Sequence, residues 1–120
     1  MIIAIDGPAG TGKGTIASLI SKRLGYTYID TGAMYRCIAL KMLNNNIQLY
    51  DIEKIKKLLE ETKIEFMNIA DKQHVFLDDE DVTDEIRTPR VNDVVSPVSA
   101  IVEIRKKLVE MQQKFGEELN

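Results

Sequence analysis

Apolar and polar positions divide this chain into short strands alternating with amphipathic helices. Ile2, Ile3, Ala4 and Ile5 form an unbroken apolar run, as expected of a strand buried on both faces. After a glycine-rich interval, Ile16, Leu19, Ile20 and Leu24 recur at helical spacing, and Gly25 supplies a stop signal. Tyr26, Thr27, Tyr28 and Ile29, aromatic or branched, predict a second strand ending at Asp30. Strand, helix and strand in that order make a βαβ unit, so the fold class is α/β with a parallel sheet core. Thr31 and Gly32 then open a helix whose Met34, Cys37, Ile38 and Met42 form one apolar stripe, and Asn44, Asn45 and Asn46 end it. Asp51 is placed to cap a shorter helix carrying Ile52, Ile55, Leu58 and Leu59.

From Lys63 the apolar period shortens to two. Ile64 and Phe66 alternate with polar neighbours, as do Val75 and Leu77, and Ala70, Asp71, Lys72 and Gln73 lie between them, so a β-hairpin is expected. The acidic run Asp78, Asp79, Glu80 and Asp81 reads as a solvated turn, because it lacks the glycine and distal glutamate of a calcium-binding loop. Thr88 with Pro89, and Ser96 with Pro97, each have the form of a helix cap followed by proline in the first turn, which predicts two successive helices. Ile101, Ile104, Leu108, Met111, Phe115 and Leu119 step by three and four, extending the second helix to the end of the sequence.

The glycine-rich interval carries the first chemistry. Gly7, Pro8, Ala9, Gly10, Thr11, Gly12, Lys13, Gly14 and Thr15 stand between an apolar strand and a helix, where a P-loop has to stand. Its glycines let several backbone N–H groups converge on one point, and the helix N-terminus adds partial positive charge there, so a polyphosphate fits. Lys13 would bridge the outer phosphates as a point charge, and a hydroxyl just inside the helix would orient Mg²⁺. Gly14 follows the lysine where Ser or Thr is usual, so the metal role passes to Thr15.

Composition narrows the partners. The 120 residues suffice for one domain with a core, and 44% hydrophobic with 29% charged residues is a globular composition. With 16 basic and 19 acidic side chains the net charge is −3, so no global field attracts nucleic acid and phosphate affinity must be local. One cysteine, Cys37, and one histidine, His74, exclude an intrachain disulfide, argue against a Cys/His zinc site and suit a reducing, cytoplasmic setting. The apolar N-terminus is short and lacks a basic leader, and no run approaches membrane-spanning length, so neither a signal peptide nor a membrane partner is expected. Cys37 falls on an apolar stripe and reads as core. The segment from His74 to Asp79 imitates the apolar strand and acid that hold magnesium in some P-loop proteins, but its alternation assigns it to the hairpin.

Thr31-Gly32-Ala33-Met34-Tyr35-Arg36, together with the GxxGxGKGT form of the loop, resembles the nucleoside monophosphate kinases. The stretch Val82-Thr83-Asp84-Glu85-Ile86-Arg87-Thr88 and the spacing from Ser96 to Arg105 resemble the bacterial cytidylate kinases, whose monophosphate-binding insert contains β-structure where adenylate kinases use helices. The resemblance implies a parallel core over 1–62, the insert over 63–88 and helices returning to the core over 89–120. It also implies that the sequence stops before a Gly-Arg-Asp strand, which would lie between the two strands found here, and before an arginine-rich lid. The chain then resembles an N-terminal portion, with little or no turnover of its own expected. The missing half, or another copy paired through exposed strand edges, would be a partner.

The activity so implied is transfer of the γ-phosphate of ATP to CMP or dCMP, with Mg²⁺. Other readings are a non-catalytic nucleotide-binding or structural fragment, or a kinase for AMP or UMP. By the same resemblance, Thr31 and Arg36 meet the acceptor phosphate, Ser96 contacts the cytosine, and Arg105 reads base and phosphate. Tyr35 stands either at the pyrimidine pocket or in the core. Arg87 and Arg90 fall near the expected site or are simply solvated, and Asp30 receives no role.

Overall fold

The computed structural model describes residues 2–5 and 27–119. Strand β1 (Ile2–Ile5) pairs in parallel with β2 (Thr27–Asp30), in a register running from Ile2 opposite Thr27 to Ile5 opposite Asp30. The helix expected between them, on Ile16, Leu19, Ile20 and Leu24, lies outside the described residues. The two strands are direct neighbours, so the place between them, where the resemblance puts another strand, is closed by their own pairing. Backbone N–H and C=O groups in an apolar strand must be paired, and each of these strands supplies the other's partners.

Helix α1 (Thr31–Asn44) follows β2 without a loop. Its cap is Asp30, whose Oδ1 accepts from the Ala33 N–H at 3.1 Å, which gives that residue the role left open in the sequence. The predicted stripe of Met34, Cys37, Ile38 and Met42 is buried, but so are Ala33, Ala39 and Leu40. Burial on every side follows from the neighbours: β1, two further helices, the returning C-terminal helix and a 3₁₀ turn all pack on α1. The helix ends as expected at the asparagines, with Asn46 in the left-handed region at φ 53°. Helix α2 (Ile52–Glu60) is capped by Asp51 through the Lys54 N–H at 3.3 Å and buries Ile55, Leu58 and Leu59, as the pattern predicts.

The hairpin is present and gains a strand. β3 (Ile64–Ile69), β4 (Lys72–Leu77) and β5 (Glu80–Asp81) form an antiparallel sheet in that order. The turn is two residues, not four, because Lys72 and Gln73 pair with Ile69 and Asn68. Ala70 and Asp71 take φ of 51° and 66°, the left-handed backbone that lets a two-residue turn follow the twist of its strands. A second such turn at Asp78 and Asp79 sends the acidic run back along β4, so only its first half is a turn and Glu80 and Asp81 are strand.

Thr88 stands before helix α3 (Pro89–Ser99), with Pro89 in its first turn as predicted. Ser96 does not cap a second helix. Both Ser96 and Pro97 lie inside α3, where Pro97 forgoes one N–H bond to the preceding turn, and the helix ends soon after, at Ala100 and Ile101. Helix α4 (Val102–Leu119) buries Ile104 and Leu108 completely and sets Phe115 edge-on to Phe66 of β3, with ring centroids 5.9 Å apart. One apolar cluster joins Ile38 of α1, Leu58 of α2, Ile64, Val75 and Leu77 of the hairpin, Ile86, Val91 of α3 and Leu108 of α4. The insert therefore shares its base with the helical core.

Candidate functional site

Arg36 lies in the second turn of α1 and is 8% exposed, an unusual burial for a guanidinium. Its Nη1 donates to the Ile86 carbonyl at 2.9 Å and to Oδ1 of Asn92 on α3. Its Nε is buried and, among the described residues, has no hydrogen-bond partner. Burial lowers the pKa of Arg36, the like charge of Arg87 lowers it further, and the Asp30 carboxylate opposes both. An arginine does not deprotonate in response, so the result is a dehydrated cation with an unused donor beside a second cation. Such a group suits an anion with several oxygens, above all a phosphate, which accepts charge-assisted bonds in a fork.

The other predicted acceptor residues surround this group unevenly. Thr31 is 3% exposed at the start of α1, five positions and so about 140° around the helix from Arg36. Tyr35 is half-buried and packs against the core cluster, as one of its two readings anticipated. Ser96 is exposed and its hydroxyl makes no hydrogen bond among the described residues, yet it follows Asn92 by one turn on the same face of α3. Arg105 is exposed on α4 next to buried Ile104, its side chain unpaired among the described residues, and nothing brings it into contact with Arg36. Arg90 instead ties α3 to the end of α1, donating to Oδ1 of Asn44 at 3.0 Å. The loop residues Gly7, Pro8, Ala9, Gly10, Thr11, Gly12, Lys13, Gly14 and Thr15 lie outside the described residues.

The sequence model for cytidylate kinase matches residues 3–120. The cytidylate kinase of Caldicellulosiruptor saccharolyticus is 53% identical over 116 residues, covering 97% of this chain and 51% of that relative. Those of Caldicellulosiruptor bescii and Carboxydothermus hydrogenoformans are 52% and 50% identical, with 97% and 96% of this chain and 51% and 52% of theirs covered. The chain belongs to the cytidylate kinase family. The family is one of phosphotransferases, and the chain spans about half the length of the curated relatives it matches.

In the surroundings of Arg36, sequence reasoning missed Asn92 and the Ile86 carbonyl. No local signal marks them, since their bonds to Arg36 span 56 and 50 positions and exist only in the fold. The signals set aside in the sequence resolve as structure. The His74 strand is hydrogen-bonded to β3, with His74 Nδ1 2.8 Å from Oδ2 of Asp81. The other oxygen of Asp81 accepts from the Thr83 hydroxyl at 2.5 Å and the Thr83 N–H at 3.0 Å. These bonds, Thr83 first and then His74, hold the Asp81 carboxyl at a pKa of about 2. Cys37 is fully buried, and burial, with Asp30 and Asp78 adding to it, pushes its thiol up to about 12, so it is core and no nucleophile. Among the described residues no group of three or more His, Cys, Asp or Glu side chains is placed to hold a metal, and no helix is long and apolar enough to cross a membrane.

Proposed function

We propose that this chain carries the donor loop and the acceptor platform of an enzyme that transfers the γ-phosphate of ATP to CMP or dCMP. The observation that carries the reading is Arg36: a buried guanidinium with an unpaired Nε, backed by Arg87 and fixed by Asn92 and the Ile86 carbonyl. Its fork would take the acceptor phosphate, with Thr31 adding a hydroxyl from the start of α1. Ser96, Arg105 and Tyr35 would attend to the pyrimidine side, and the open hydroxyl of Ser96 one turn from Asn92 supports that role. On the donor side, Lys13 within 7–15 would hold the outer phosphates of ATP, and Thr15 would help hold Mg²⁺, which neutralises charge on the transferring group.

The chemistry asks little else of the protein. The attacking CMP phosphate oxygen is already anionic at neutral pH, so no strong general base is needed. It attacks the γ-phosphorus while ADP leaves, and alignment with charge cancellation accounts for the rate. The antiparallel insert β3–β5 favours CMP over AMP as acceptor, since the resemblance ties β-structured inserts to cytidylate kinases and helical ones to adenylate kinases. The division into core 1–62, insert 63–88 and returning helices 89–120 belongs to the same reading.

Calorimetric titration with CMP, AMP and UMP tests it. CMP is expected to bind tightest, and Arg36→Lys, which keeps charge but loses the fork, is expected to weaken CMP by about 10- to 100-fold while leaving ATP unchanged. Equal affinity for the three monophosphates, or CMP binding indifferent to Arg36→Lys, overturns it.

A further inference from the structure

We propose that Lys41 is a positioning residue that fixes the attitude of the β-insert over α1 and through it the affinity for the acceptor nucleotide, an inference that rests on the acceptor role given to Arg36. Lys41 lies on α1 five residues beyond Arg36, and its side chain is only 15% exposed. Its ammonium meets three acceptors: Oδ2 of Asp78 at 2.7 Å, the Glu61 carbonyl at 2.9 Å and the Thr62 hydroxyl at 3.1 Å. Three donors with three acceptors leave nothing unsatisfied, and the arrangement suits a compact ammonium better than a planar guanidinium.

The placement of these acceptors gives the contact its meaning. Glu61 and Thr62 are the last residues before the chain enters the insert, and Asp78 is the first residue after β4, in the turn to β5. The two crossings are themselves tied. The Lys63 N–H donates to Oδ1 of Asp78 at 2.9 Å, and the Asp78 N–H donates to the Lys63 carbonyl at 2.8 Å. Thr62 is fixed in turn by donating to the Leu58 carbonyl of α2 at 2.5 Å. Lys41 thus fastens the start of β3 and the end of β4 to the helix that bears Arg36. Beyond this base the sheet meets the core once more, where Phe66 stands against Phe115, and its far end turns to solvent, with Met67 56% and Ile69 43% exposed, so the base contributes to where the rest points.

On its other side the insert returns through Val82 to Ile86, whose carbonyl accepts from Arg36. Helix α1 therefore grips the insert twice, at Lys41 near its base and at Arg36 near its exit. If the first grip loosens, the sheet swings, Ile86 shifts, and Arg36 loses the partner that orients its fork. The contacts named here all run between α1, the end of α2 and the β-insert, so the effect is expected on the acceptor side. A side chain that only stabilised the fold would leave the ratio of CMP to ATP affinity untouched.

The test uses the full chain and two variants, Lys41→Met and Asp78→Asn, titrated separately with CMP and ATP, with amide hydrogen exchange of residues 64–77 followed without ligand. Both variants are expected to weaken CMP by about tenfold, to leave ATP within about twofold, and to speed exchange in the hairpin by about tenfold while α2 is unchanged. Equal weakening of CMP and ATP, or no change in CMP affinity, overturns the proposal. If Lys41→Met does not fold, Asp78→Asn, which keeps an acceptor oxygen, decides by the same readings. If the unaltered chain binds ATP but not CMP, the acceptor reading itself falls. Hairpin exchange then judges the anchor alone: unchanged rates overturn it and faster rates support it.

Discussion

At the residue scale, the charged side chains divide by what surrounds them rather than by their type. Arg36 and Lys41 are cations on one helix, yet the ammonium finds three acceptors while the guanidinium keeps a buried donor unused. Satisfied polar groups hold structure, and a buried unsatisfied one calls for an explanation, for which a bound ligand is one candidate. Asp81 belongs with the first kind and carries a pH signature. Its bonds to Thr83 and His74 depress its folded pKa to about 2, so the folded state favours the carboxylate. The stability this gives is present above the unfolded carboxylate range near 4 and is lost as pH falls from about 4 through about 2. Urea midpoints of the chain and of Asp81→Asn, measured against pH, are expected to differ by a constant amount above pH ~5 and to converge by pH ~2. A gap that persists unchanged to pH ~2 would count against the Thr83 and His74 bonds as its cause.

At the element scale, the backbone hydrogen bonds of α3 explain why Ser96 misleads as a helix start. Ser followed by Pro is a start signal, but α3 is already under way from Pro89, and the helix absorbs the bond lost at Pro97 two residues before its end at Ser99. Because the Ser96 hydroxyl caps nothing, Ser96→Ala is expected to change stability by less than about 0.5 kcal/mol while weakening CMP binding, read by thermal unfolding with and without nucleotide. A large loss of stability without ligand would restore the capping role. The elements whose period reflects a single buried face were legible in advance: α2 on Ile55, Leu58 and Leu59, the hairpin on Ile64, Val75 and Leu77, and α4 on Ile104 and Leu108. The all-round burial of α1, the pairing of Glu80 and Asp81, and the two-residue turn at Ala70 and Asp71 were not, since each depends on neighbours that no local pattern reports. The proposed site rests on sequence where a motif points to it, as at Arg36. It was unreadable at Asn92, whose part consists of one contact 56 residues away.

At the scale of the whole molecule, α1 links everything described here. It starts from β2, carries Arg36, holds the insert through Lys41, and receives Arg90 from α3 at Asn44. The two sheets it joins are connected very differently. The antiparallel strands β3 and β4 meet across two residues, whereas Ile2 finds Thr27 across a separation of twenty-five. Closing the longer loop costs roughly 2 kcal/mol more in chain entropy, and hairpins of the shorter kind zip in microseconds. The sheets should therefore form in order. In pulse-labelled refolding, amides of β3 and β4 are expected to gain protection before those of β1 and β2, and simultaneous protection would contradict this. The antiparallel sheet would then be built before the parallel pair that precedes it in the chain.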